Sequence, residues 1–257
     1  KVSVLRHGIH SGSASGTVPS SFRILRRLLD RIENAETGDI LLPECHGVIP
    51  EDVRQELEGE TKPADFPWVG HTRPMAETPA KQLLASTWKP ALSVVAQEGI
   101  PPLSAGSAQL RPYTTLMLSM RLAPTADAKM ALDAMVRTLT TDVPYDAEVE
   151  ILHASYSPGF YAGETPEWLE RVWSAASERF FGQKPGVFFE GGTIGILEHF
   201  REAFPDSAFL MTGMLGPDSN AHGPDESLDL AYWEKLTLAL SEVLAALPEE
   251  NERKEVP

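Results

Sequence analysis

The stretch from Thr114 to Leu122 sets Leu116, Leu118, Met120 and Leu122 on one side of an extended chain, the period-two pattern of a half-buried strand. Such a strand needs neighbours, and the flanking sequence supplies them in a telling order. Val2, Val4 and Leu5 suggest a first strand. Phe22, Ile24, Leu25, Leu28, Leu29 and Ile32 then recur at helical spacing, with Thr17 and Ser20-Ser21 available to start the helix and Gly38 beyond its end. Ala91-Leu92-Ser93-Val94-Val95 reads as a second strand, and Pro124 stops the third. Met130, Leu132, Met135, Val136 and Leu139 mark an amphipathic helix over 126–140, and 147–152 alternates again. Strand, helix, strand, strand, helix, strand is the split βαβ order. It predicts an α+β unit with a four-stranded antiparallel sheet and two helices on one face. The other face needs cover, from the insertion, a partner subunit or another domain. Residues 37–75 are rich in Pro, Gly and acids and read as a surface insertion, with helical pieces near 51–60 and 80–87.

After Pro158-Gly159 the character changes. A helix is expected from Pro166 to Phe181, carrying Trp168, Leu169, Val172 and Trp173 on its apolar side. Val187-Phe188-Phe189 suggests a short strand, and Gly191-Gly192-Thr193 a tight turn opening a helix over 194–203. A buried strand over 207–211 and a helix over 230–247 follow, before a polar tail over 248–257. This is α/β order with too few strands for a doubly wound sheet, so the segment is expected to be part of an incomplete domain. Lys1-Val2-Ser3-Val4-Leu5-Arg6 reads as a strand entered from its middle and lacks the features of a signal peptide.

Composition narrows the partners. The apolar fraction of 42% is enough for a core, and no run of 18 apolar residues suggests a membrane span. A net charge of −15 repels nucleic acid and anionic lipid, so neither is an expected partner. The single cysteine, Cys45, excludes an internal disulfide framework and a multi-cysteine metal site. It suits a reducing compartment, so a cytoplasmic location is expected.

Four short segments carry chemistry. His222 sits in Gly216-Pro217-Asp218-Ser219-Asn220-Ala221-His222-Gly223-Pro224-Asp225-Glu226, between an apolar run and an amphipathic helix. An imidazole among carboxylates and small residues suits a metal ligand, although a loop histidine is more often a solvated surface residue. Glu190-Gly191-Gly192-Thr193 stands at a strand-to-helix junction, where free N–H groups suit a carboxylate or phosphate; the glycines could equally serve turn geometry. His10, in the polar loop His10-Ser11-Gly12-Ser13-Ala14-Ser15-Gly16, could polarise a carbonyl or simply hydrogen-bond its own loop. Arg121 is the one charge on its strand, placed to hold a carboxylate or to make an edge salt bridge. His7, His46, His71, His153 and His199 show no ligand spacing. His-Glu-x-x-His, Gly-x-Ser-x-Gly and the glycine-rich nucleotide loops do not occur.

Taken in order, His10-Ser11-Gly12, Met120-Arg121-Leu122-Ala123-Pro124-Thr125, Glu190-Gly191-Gly192-Thr193-Ile194 and Asn220-Ala221-His222-Gly223-Pro224-Asp225-Glu226 resemble one family. It is that of the dinuclear zinc peptidases, which includes glutamate carboxypeptidase, carnosine dipeptidase, succinyl-diaminopimelate desuccinylase and aminoacylase. The dipeptidase branch is the most similar. The resemblance implies that residues 1–154 form the family's lid, or dimerisation, domain and that 155–257 form the C-terminal portion of its catalytic domain. It implies that His222 is a zinc ligand. His10 would stabilise the oxyanion across a homodimer, while Arg121, Gly191, Gly192 and Thr193 would hold the substrate's carboxylate. The activity implied is that of a metal-dependent hydrolase acting on small peptides or N-acyl amino acids, an exopeptidase of dipeptidase or carboxypeptidase type. In the intact enzyme the cofactor would be two zinc ions, with other divalent metals possible.

The sequence departs from the family in one large respect. The family's other metal ligands and its general-base glutamate lie in an N-terminal segment that would precede Lys1. A catalytic zinc takes three protein ligands, so this chain alone is expected to bind metal poorly and to be inactive. Phe189-Glu190 also replace the usual residues before the glycine pair, which bears on substrate preference. Two other readings compete: a non-catalytic dimerisation or interaction module, and a single carboxylate-binding domain using Arg121 and the glycine turn.

Overall fold

The computed structural model describes residues 1–59, 62, 66–186, 194–216, 219–221 and 223–254. The strands are β1 (Val2–Ser3), β2 (Ile9–His10), β3 (Ala91–Glu98), β4 (Gln109–Leu110), β5 (Tyr113–Arg121) and β6 (Glu148–Val149). The helices are α1 (Ser11–Ala14), α2 (Ser21–Leu29), α3 (Glu51–Glu58), α4 (Pro79–Thr87), α5 (Ala128–Thr140), α6 (Glu167–Phe181), α7 (Gly195–Ala203) and α8 (Leu230–Lys254). The chain divides into two units by contact. One comprises Lys1–Tyr161 and Phe189–His199, the other Ala162–Phe188 and Phe200–Pro257, each taken over its described residues.

The first unit is built on a four-stranded antiparallel sheet in the order β3-β5-β1-β6. Val2 pairs with Thr114 on one side and Val149 on the other. The long pair runs from Ala91 opposite Arg121 to Glu98 opposite Thr115, with a bulge between Val94 and Ala96. Alternation along β5 turns Thr114, Leu116, Leu118 and Met120 toward one face. Both long helices pack there. Ile24, Leu25 and Leu28 of α2 lie against Val2, Leu116 and Val149, while Ala131, Ala134 and Met135 of α5 lie against Leu92, Met120 and Leu122. Burying each large aliphatic side chain of this kind contributes roughly 1.5–3 kcal/mol.

The ends of these helices follow from local chemistry. Asp127 caps α5 by accepting from the Met130 N–H at 2.9 Å. Ser20, the residue before α2, makes no side-chain cap bond; the Ser21 hydroxyl instead meets the Thr114 hydroxyl at 2.8 Å in a buried bond that ties helix to sheet. Just past α2, Arg31 donates to the carbonyls of Thr141 and Asp142 at 2.8 and 2.7 Å, so its guanidinium closes the C-terminal end of α5. The insertion adds α3 and α4, which bury Val53 and Leu57 beside Trp88 and Ala123. Trp88 meets Tyr161 edge to face, with ring centroids 5.3 Å apart.

In the second unit α6 and α8 pack through Leu169 and Ala176 on one helix and Leu236, Ala239 and Val243 on the other. Phe181 and Tyr232 touch at a centroid distance of 5.1 Å, and Arg179 pairs with Glu242. Gly182 ends α6 in the left-handed conformation, φ 75°, which glycine adopts without steric cost. Helix α8 runs to Lys254 rather than ending near Leu247. The buried strand expected over 207–211 is not formed: these residues carry no secondary structure, and Ser207, Ala208 and Met211 are exposed. A strand needs a ladder partner for its backbone groups, and no strand occurs among the described residues of this unit. The strand expected at 187–189 lies outside the described residues. Among the described residues no helix is long and apolar enough to cross a membrane.

Candidate functional site

His10 is not on a free loop. It ends β2, which pairs with β4 so that His10 lies opposite Gln109 and Ile9 opposite Leu110. The Ser11 N–H extends the pairing by donating to the Ala108 carbonyl at 2.9 Å. His10 then caps α1, its Nδ1 accepting from the Gly12 N–H at 3.1 Å. An acceptor Nδ1 carries no proton, so the neutral ring bears its hydrogen on Nε2. The side chain is exposed, and its free N–H is therefore a donor on a ring held at the other nitrogen. Gly8, two residues earlier, leaves room for the Gln109 side chain in this position. A Cβ there would stand 2.5 Å from the Gln109 side-chain carbon Cδ, because the amide of Gln109 lies across the gap.

Arg121 ends β5 opposite Ala91 and is exposed. It alternates with the helix-facing residues of that strand, so it belongs to the sheet face turned away from α2 and α5. No ion pair occupies it among the described residues. His10 and Arg121 stand at opposite ends of the β3–β5 ribbon. Gln109, the partner of His10, shares a surface depression with Gly99 and Tyr113 at one end. Eight residue steps of about 3.3 Å each, roughly 26 Å, separate Tyr113 from Arg121 at the other. A dipeptide spans about 7 Å. One copy of the unit therefore does not bring both side chains to one small ligand.

His222, Gly191, Gly192 and Thr193 lie outside the described residues. The turn that flanks His222 is described and is tightly tied. The Ser219 hydroxyl accepts from the Gly216 N–H at 2.9 Å, the Asn220 amide donates to the Pro224 carbonyl at 2.6 Å, and the Ser227 N–H donates to the Ser219 carbonyl at 3.0 Å. Asn220 and Asp225 both take positive φ, at 53° and 59°. Among the described residues no three His, Cys, Asp or Glu side chains gather as a metal site.

Gln109 and Arg111 were not legible as site residues. β4 is Gln109–Leu110 alone, too short for a periodic signal; its pairing with β2 places Gln109 opposite His10, and Arg111 follows it in the chain.

The fold and its pairing order invite comparison with known proteins. A cysteinylglycine-S-conjugate dipeptidase from Corynebacterium striatum is 22% identical over 265 residues, covering 95% of this chain and 53% of the relative. The dipeptidase Dug1p of Saccharomyces cerevisiae matches in structure with a TM-score of 0.68 at 18% identity, over 95% of this chain and 52% of that one. The metallo-carboxypeptidase Sso-CP2 of Sulfolobus solfataricus, of the M20 family, matches with a TM-score of 0.75 at 16% identity, over 95% of this chain and 56% of its own. This is the fold of the M20 peptidases. Human carnosine dipeptidase 1 agrees, with a TM-score of 0.66 at 17% identity over 94% of this chain and 52% of that one. The chain spans about half the length of the relatives it matches. No protein-family model matches it. The resemblance read from the sequence holds to this extent: the homologues are M20-type dipeptidases and a carboxypeptidase, and the chain corresponds to part of them.

Proposed function

We propose that this chain is the lid and the C-terminal catalytic portion of a metal-dependent peptidase that cleaves small peptides or N-acyl amino acids with a free carboxylate. The observation that carries the reading is the His10 ring, fixed through Nδ1 with its Nε2–H presented outward. A donor fixed in this way is suited to an oxyanion, because it needs no reorganisation as charge develops on the carbonyl oxygen. Arg121 would anchor the terminal carboxylate through its planar fork. Gly191, Gly192 and Thr193 would add backbone and hydroxyl contacts, and His222 would be one metal ligand.

Residues 1–154 would be the split βαβ lid, and 155–257 the catalytic part. The order β3-β5-β1-β6 with two helices on one face supports that assignment. The long gap between His10 and Arg121 supports a homodimer in which each site takes His10 from the second copy. Strand β3 is suited to the contact: it is an eight-residue edge with Val94 and Val95 exposed and neither Pro nor Lys to block pairing.

The metal, taken as a pair of zinc ions, would polarise the carbonyl and activate water. The described residues do not by themselves form its site, so the remaining ligands would come from further sequence, and this chain alone would be inactive. A cytoplasmic location would keep Cys45 reduced. The test is kinetic and uses the complete gene product with zinc. Arg121→Ala should raise KM for dipeptides by about 10–100-fold, the weight of a charge-assisted pair, with metal content unchanged. Unaltered KM removes Arg121 from the site, and turnover by the present chain alone overturns the two-part reading.

A further inference from the structure

The depression at Gln109, the cross-strand partner of His10, is an open pocket of about 410 Å³, lined by Gly8, Gly99, Ile100, Gln109, Arg111 and Tyr113 among others. Its walls follow from the β2–β4 pairing. His10 lies opposite Gln109 and Ile9 opposite Leu110, and Gly8 and Arg111 flank this two-residue pairing at the depression. His10 and Gln109, paired across the strands, share a face, and Gln109 and Arg111 both line the depression. Gly8 contributes no side chain, and the Gln109 amide leans over it.

Arg111 is the chemically decisive member. Arg137 pairs with Glu44 and Arg179 with Glu242, whereas Arg31 is held by two carbonyls. Arg111 is half-buried and makes no ion pair among the described residues. The two segments that build this surface are also free of acids: residues 1–29 and 99–126 contain no Asp or Glu. Within them Lys1 pairs with Glu150 and Arg121 lies at the far end of β5, which leaves Arg111 as the cation lining the depression. Glu98, at the margin of the second segment, accepts from the Tyr113 hydroxyl at 3.2 Å. An acidic protein thus keeps carboxylates out of the sequence around His10, which makes that surface locally attractive to anions. Ile100, Pro101 and Tyr113 give the depression an apolar flank for a short aliphatic stem.

We infer that Arg111 is a specificity-determining residue that holds a second anionic group of the substrate. The substrate class is then a dipeptide with an acidic side chain on the residue that supplies the attacked carbonyl, or an N-acyl amino acid whose acyl group carries a carboxylate. The inference rests on the peptidase reading, which places that carbonyl at His10. Arg111 provides a planar pair of donors for a carboxylate, while Arg121 serves the terminal carboxylate at the remote end of the ribbon.

The test compares Glu-Gly with Gln-Gly, which differ in charge and scarcely in shape, using the complete gene product with zinc. Wild type should prefer Glu-Gly. Arg111→Ala should lower kcat/KM for Glu-Gly by about 10–100-fold and leave Gln-Gly within about twofold, and Arg111→Lys should recover part of the loss. Equal losses on both peptides would make Arg111 a structural residue, and no loss on either would leave the depression without a role; both results overturn the inference while the peptidase reading stands. Failure of wild type to cleave any dipeptide overturns the peptidase reading and this inference with it.

Discussion

Cys45 has no exposed surface, and burial pushes its thiol from 9.0 up to about 11, with the neighbouring Glu44 carboxylate adding to the shift. The folded chain therefore holds this proton more tightly than the unfolded chain does. The stabilisation is complete below pH 9 and is lost as pH rises from 9 toward 11, by about 1.4 kcal/mol per unit. Urea unfolding at pH 8, 9 and 10 should show that decline, and Cys45→Ala should flatten it. A slope that persists in the variant would assign the titration to another group. At pH 8 the folded chain should also resist a thiol-specific reagent that labels it readily in urea, since the thiolate is the reactive form. The same scale shows why site residues differ in legibility. His10 and Arg121 stand in recognisable local sequence, His10 among small polar residues and Arg121 alone on an apolar strand. Arg111 has neither context: it follows β4, whose two-residue pairing partner lies some hundred positions away.

Among the elements, α2 and α5 matter most to the first unit, because between them they cover one face of its sheet. Leu28 is 1% exposed, between Ile24 and the sheet residues Val2 and Leu116. Leu28→Ala should destabilise the chain by roughly 2–5 kcal/mol in denaturant titration, the range for a buried aliphatic truncation. A loss under 1 kcal/mol would mean that this layer is not a packed core. The helices and long strands were readable because each buries one face and so writes its period into the sequence: Ile24, Leu25 and Leu28 in α2, and Leu116, Leu118 and Met120 in β5. The strand expected at 207–211 failed for the converse reason. Ala208, Phe209, Leu210 and Met211 have the composition of a strand, but composition specifies burial without supplying a ladder partner. The β2–β4 pair escaped the sequence reading because two residues per strand are too few to show alternation.

At the scale of the whole molecule, two surfaces are left open. Strand β3 ends the sheet with Val94 and Val95 more than half exposed, and the opposite sheet face carries Met117 at 59% exposure. An edge of this length, charged only at Glu98 though bulged between Val94 and Ala96, offers backbone groups for pairing with another strand. On the dimer reading, Val95→Lys should convert the protein from dimer to monomer in sedimentation equilibrium while leaving its circular dichroism intact. A variant that stays dimeric places the subunit contact elsewhere. Architecture was legible at this scale only as far as one chain can encode it. The sequence order foretold four antiparallel strands, whereas the proposed approach of a second His10 toward Arg121 came only from the family resemblance, because hydrophobic periodicity records nothing of a second copy. Arg31 works over shorter range. Its guanidinium, at the foot of one helix, satisfies the carbonyls at the foot of another. Fraying at either end strips these two bonds from the other, so one side chain couples the thermal opening of two helix ends distant in sequence.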